Sequence, residues 1–189
     1  MSDYMREKGW IKALPNQLTL FRIAVIPVLL VLFPLRFQAL NLFCALLFAV
    51  AAMTDWLDGY IARKFSLESK LGTLLDPLAD KMLTGASIVL LASSQVLWAW
   101  MAGILICREL AMSGLRLVAQ QQGLQIRVNV FGKAKTLFLD IAIVCLMVNY
   151  PLFNWPFVEV GRIALWLAFL FSVYSAWLYI RVFMREINR

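Results

Sequence analysis

The chain has 189 residues, of which 62% are hydrophobic and 15% charged, at a mean hydropathy of +0.78; an average soluble domain is about 45–50% apolar and about 25% charged. A water-soluble monomer is all but excluded, and since a helix needs roughly 20 residues to cross a bilayer, the length suits one polytopic membrane domain of about six crossings. The 18 basic and 11 acidic residues leave a net charge of +7 with no histidine; basic loops gathered on one membrane face account for such an excess, so no nucleic-acid partner is expected.

The N-terminal stretch from Asp3 to Lys12 sets Tyr4, Trp10 and Ile11 among charges, a pattern that suits a short helix lying along the inner membrane surface. It makes residues 1–13 an interfacial segment ahead of a six-helix membrane domain over 14–189. Apolar runs then follow at Leu18–Leu35, Phe37–Ile61, Leu74–Leu91, Val96–Val118, Ala134–Leu152 and Val158–Met184. No small-residue cleavage site follows the first run, which is expected to stay as an anchor. Between the runs stand Pro34 and Arg36, the polar stretch Arg63–Lys70, Ser93–Gln95, Gln120–Gly132 and Pro151–Pro156, which are turn and loop signals. The expected fold is all-α, with six transmembrane helices and no internal repeat.

Alternate connections of such a bundle lie on opposite faces. One set of ends holds Arg6, Lys8, Lys12, Arg63, Lys64, Lys70, Lys81, Arg116, Arg127, Lys133, Lys135, Arg181, Arg185 and Arg189; the other holds Arg36 and Arg162. The asymmetry assigns both termini and the connections after the second and fourth helices to the cytoplasm. Cys44, Cys107 and Cys145 lie in apolar runs and read as small hydrophobes. Tryptophans 10, 98, 100, 155 and 166 sit mostly near helix ends, where an interface belt is expected. Arg22, Arg108 and Asp140 are intramembrane charges, and Asp140 is assigned to packing or pairing.

An aspartate at the centre of a membrane helix costs about 2.5–3.5 kcal/mol, yet Asp55 and Asp58 fall near the cytoplasmic end of the second helix and Asp76 and Asp80 near the cytoplasmic start of the third. At 100° per residue the first pair is about 60° apart and the second about 40°, so each pair shares a face. A short connection makes the two helices antiparallel neighbours, and four converging carboxylates repel one another unless a cation lies between them. A hard divalent ion suits oxygen ligands; magnesium, with manganese as the alternative, keeps positions open for substrate phosphates. Gly59, Ala62 and Gly72 leave room beside the acids, and Arg63 adds a planar fork suited to phosphate.

The run from Asp55 to Asp80 reads D-W-L-D-G-Y-I-A-R, eight residues, then G-T-L-L-D-P-L-A-D. It resembles the complete signature of the CDP-alcohol phosphotransferases, D-x2-D-G-x2-A-R-x8-G-x3-D-x3-D, without a departure at any specified position. The resemblance implies a six-helix membrane enzyme, usually a homodimer, that transfers a CMP-linked substituted phosphate to an alcohol. It implies that Asp55, Asp58 and Asp76 ligate the metal. Asp80 is then the general base and a further metal ligand, and Asp55, Gly59, Arg63 and Gly72 line the site for the nucleotide lipid CDP-diacylglycerol.

The acceptor is addressed elsewhere. Arg108, Glu109 and the S-G-L-R ending in Arg116 in the fourth helix, with G-K-A-K-T at the start of the fifth, are similar to stretches of the bacterial branch that uses glycerol 3-phosphate. Arg108, Arg116, Lys133 and Lys135 are therefore candidate ligands of an acceptor phosphate, a cluster that a neutral acceptor does not need. Lys133 and Lys135 are about 160° apart on a regular helix, so both face one site only if the helix begins near them. Glu109 partly compensates Arg108. The opening P-N-Q-L-T-L-F-R, Pro15 to Arg22, also resembles this group; Asn16 or Thr19 is expected to cap the first helix, and Pro77 to occupy a first-turn position. Other acceptors, namely phosphatidylglycerol, serine or inositol phosphate, define the nearest rival. A cation channel or transporter is the rival from another class.

Overall fold

The computed structural model describes the backbone of residues 2–65, 70–124, 130–151 and 154–187, and their side chains apart from residues 2–16, 55–65, 70–74 and 76. Among the described residues there are six α-helices and no β-strand. They are α1 (Ser2–Leu32), α2 (Gln38–Phe65), α3 (Lys70–Ser93), α4 (Ala99–Gln121), α5 (Val130–Val148) and α6 (Phe157–Ile187), with a 3-10 turn at Phe33–Leu35. The chain forms two compact units, residues 1–90 and 91–189.

In the first unit, α1 and α2 pack as a hairpin. Pro34 within the 3-10 turn lacks the donor a longer helix needs, and Arg36 adopts a left-handed φ of 57°, its N–H donating to the Phe33 carbonyl at 3.2 Å. Val25 and Leu29 of α1, Phe33 of the 3-10 turn, and Cys44, Ala45, Phe48 and Ala51 of α2 are buried, at the spacing of three and four that gives a helix one inward stripe.

Three expectations for this unit change. Helix α1 runs unbroken from Ser2 to Leu32, so residues 1–13 are the first part of one long helix and not a separate one. The Met, Arg, Glu, Lys, Ala and Leu residues on either side of Pro15 are strong helix formers and carry the helix past the single donor that proline removes. Asn16 and Thr19 consequently lie within α1 and do not cap it, and Thr19 is buried. Pro77 lies in the interior of α3, because that helix already begins at Lys70.

The second unit opens where α3 ends. The Leu91 carbonyl accepts from Val96 and Leu97, Gln95 takes a left-handed φ of 60°, and Trp98 starts α4 from extended backbone. Helix α4 closes with a Schellman turn: Gly123, at φ 72°, donates to the Gln120 carbonyl and Leu124 to that of Ala119, a geometry that glycine enters without a Cβ penalty. Trp98, Trp100 and Trp166 form one aromatic cluster with Phe169, with ring centroids 5.8–6.4 Å apart, and all three tryptophans remain substantially exposed.

Helices α5 and α6 pack together most extensively. Gly161, Ala164, Leu165, Ala168, Ser172 and Ser175 form the buried face of α6, and Leu139, Ala142, Ile143, Leu146 and Met147 are buried in α5. The approach is closest at Gly161, where an added Cβ would meet Leu146 Cγ at 2.8 Å and Cys145 Cβ at 3.0 Å. The outward face of α6 is equally apolar: Ile163, Leu170, Val173, Trp177 and Ile180 are exposed. A helix apolar on every side belongs in a core or a membrane. Gln17–Leu35 and Phe157–Ile187 are the two described segments long and apolar enough to cross a bilayer. Charges interrupt the other runs, Arg108, Glu109 and Arg116 in α4 and Lys133, Lys135 and Asp140 in α5.

Gly161→Val is expected to lower stability by about 1–3 kcal/mol through overpacking, read as a lower unfolding temperature in detergent. Leu146→Ala, destabilising alone, should recover part of that loss when combined with it.

Candidate functional site

The signature positions fall in the last turns of α2 and the first turns of α3. Both segments are helical, so Asp55 and Asp58 are one turn apart, as are Asp76 and Asp80. The side chains of Asp55, Asp58, Gly59, Arg63, Gly72 and Asp76 lie outside the described residues, and the convergence expected of them lies there too. Asp80 is half-buried. Pro77 stands between the two α3 acids; lacking an N–H, it leaves the Thr73 carbonyl without its ordinary intrahelical donor.

A second cluster lies among the described residues, within the unit 91–189. Glu109 joins two cations: Arg108 Nη1 donates to its Oε1 at 2.6 Å, and Lys135 Nζ donates to the same oxygen. The side chains are 12% exposed for Arg108, 25% for Glu109 and 8% for Lys135. Helix α6 supplies further contacts to Arg108. Arg108 Nε donates to the Ser172 carbonyl at 3.0 Å and Nη2 to Ser175 Oγ, while Ser175 Oγ donates to the Ser172 carbonyl at 3.1 Å. Ser113 Oγ ties back to the Glu109 carbonyl at 2.6 Å.

Arg108 and Lys135 are thus brought together, one from α4 and one from α5. Lys133 is exposed whereas Lys135 is buried. Helix α5 begins at Val130, so the angular separation of the two lysines turns one inward and one outward. Arg116 is exposed, with its guanidinium carbon 6.0 Å from the Tyr179 ring centroid. Ser172 and Ser175 were not expected. Their signal is two hydroxyls three residues apart in the apolar run L-F-S-V-Y-S-A-W, on the stripe that continues from Gly161 and Ala168.

Among the described residues no group of three or more His, Cys, Asp or Glu side chains gathers as metal ligands, and Asp80 is the sole signature acid in that set. The donor set formed by the signature is entirely carboxylate, which suits a hard divalent cation.

A profile of the CDP-alcohol phosphatidyltransferase family matches residues 12–174. The chain belongs to this family. It is 39% identical over 181 residues to a Bacillus subtilis protein, covering 88% of this chain and 92% of the relative. It is 34% identical over 169 residues to one from Rickettsia bellii, covering 89% and 93%, and 36% identical over 169 residues to one from Salmonella choleraesuis, covering 87% and 89%. All three relatives are named CDP-diacylglycerol--glycerol-3-phosphate 3-phosphatidyltransferase. An all-helical membrane-associated phosphatidyltransferase accounts for both the apolar exterior and the polar cluster inside it.

Removing the shared carboxylate leaves two cations facing each other in a partly buried site. Glu109→Ala is expected to cost about 3 kcal/mol, the lower end for breaking a buried pair, because Glu109 retains some solvent. Adding Arg108→Met should recover much of the loss in the same unfolding measurement.

Proposed function

We propose that this protein transfers the phosphatidyl group of CDP-diacylglycerol to glycerol 3-phosphate, giving phosphatidylglycerophosphate and CMP in phospholipid biosynthesis. The names of its relatives and the complete signature support the reaction. The observation that carries the acceptor is the Arg108–Glu109–Lys135 cluster. Two cations from different helices share one carboxylate in a partly buried setting, which suits an additional anion such as a phosphate.

In this reading Asp80 takes the proton of the acceptor's 1-hydroxyl, and that oxygen attacks the phosphorus carrying diacylglycerol. The bond from this phosphorus to the CMP oxygen breaks, and CMP leaves with the electron pair. Asp55, Asp58, Asp76 and Asp80 would hold a divalent ion, magnesium in preference to manganese, which when bound neutralises charge on the diphosphate. Asp55, Gly59, Arg63 and Gly72 bind the donor. Arg108, Arg116, Lys133 and Lys135 attract and seat the acceptor's phosphate, the exposed Arg116 and Lys133 by long-range attraction and the inner pair by direct contact.

We further take the protein to cross the bacterial cytoplasmic membrane six times, as a homodimer, with both termini and the reaction on the cytoplasmic side. The one-sided distribution of basic residues supports this orientation. The donor's tails then stay in the bilayer while its diphosphate reaches the acids.

Purified protein supplied with CDP-diacylglycerol and magnesium should release CMP with glycerol 3-phosphate and stop when the divalent ion is chelated. Release with serine, inositol phosphate or phosphatidylglycerol but not with glycerol 3-phosphate overturns the acceptor; cation flux into liposomes without CMP release overturns the enzyme. Asp80→Asn should cut turnover about 10²- to 10⁴-fold, the range for loss of a general base, while donor binding persists. Arg116→Ala should raise the acceptor KM severalfold, more at low than at high salt, as for loss of a long-range attraction.

A further inference from the structure

Arg108 presents five N–H donors in one plane, and three are committed. Nε donates to the Ser172 carbonyl, Nη2 to the Ser175 hydroxyl and Nη1 to Glu109. One N–H on each terminal nitrogen has no partner among the described residues, and the side chain is only 12% exposed. The terminal N–H groups of a guanidinium suit the oxygens of a phosphate. The Ser172 hydroxyl is 1% exposed and its Oγ also lacks a hydrogen bond among the described residues.

The polarity at Ser175 is fixed. Its single proton goes to the Ser172 carbonyl, so a lone pair faces Arg108. Ser175 is 5% exposed on the buried stripe of α6, and no water replaces its oxygen without a cavity to hold it. Glu109 alone would let the guanidinium swing about a single contact; the two contacts from α6 fix its plane.

Building on the assignment of Arg108 to the acceptor phosphate, we propose that Ser175 is a positioning residue: it orients the Arg108 guanidinium so that its two remaining N–H groups meet the acceptor's phosphate. Helix α6, which holds none of the signature residues, thereby sets the affinity for a phosphorylated acceptor.

Steady-state rates in mixed micelles with saturating magnesium test this, together with calorimetric titration of glycerol 3-phosphate into the full chain without donor. Ser175→Ala should raise the KM and the calorimetric Kd for glycerol 3-phosphate roughly three- to tenfold, the scale of one ordinary intramolecular hydrogen bond. kcat and the KM for CDP-diacylglycerol should stay within about twofold. Ser175→Thr, which keeps the hydroxyl, should restore the wild-type values. In an Arg108→Lys background, Ser175→Ala should have no further effect, because no guanidinium plane remains to orient. An unchanged acceptor affinity in Ser175→Ala, a loss confined to kcat, an equal rise in both KM values, or a full effect that persists in the Arg108→Lys background overturns the proposal. If the wild type binds glycerol 3-phosphate and Ser175→Ala weakens it while no CMP is released, the reaction assignment fails and the positioning role stands.

Discussion

An ionised side chain surrounded by apolar helices is stable only where opposite charge and hydrogen bonds replace the water it has lost. The second unit answers that demand at one point. Arg108, one residue from its counter-ion on α4, is also held by two serines of α6, and Lys135 of α5 closes on the same carboxylate. Three helices are tied together by groups that hydrocarbon would reject.

Much of this was readable from the residues. Six apolar runs separated by Pro, Gly and polar clusters give six helices, because those breakers remove donors or demand special backbone angles. The acid spacing and the family it belongs to were equally plain, since eight specified residues over 26 positions seldom arise by chance. The 160° between Lys133 and Lys135 correctly implied that one faces inward. Helix ends were less legible. Pro15 and Asn16 look like a boundary, but strong helix formers on both sides carry α1 through them, and Pro77 looks like a helix start although α3 begins seven residues earlier at Lys70. The serines of α6 escaped notice because a hydroxyl in an apolar helix can satisfy itself on its own backbone; only the position of Arg108 reveals that Ser175 has a second partner.

Close packing and charge placement are connected. Small residues at Gly161, Ala164 and Ala168 let α6 approach α5 closely enough for Leu146 to fill the space a side chain would occupy. Polar groups further along the same stripe, Ser172 and Ser175, then stand at the depth of a buried arginine. A bulkier stripe would hold α6 away from α5.

Gly161 also sets a datum along α6. Ser172 follows it by eleven residues, about 16 Å of axial rise, and that span stays constant so long as the notch remains seated against Leu146. One helix cannot slide past the other without unseating the notch. The axial register of α6 against α5, the helix that carries Lys135, is therefore fixed by packing.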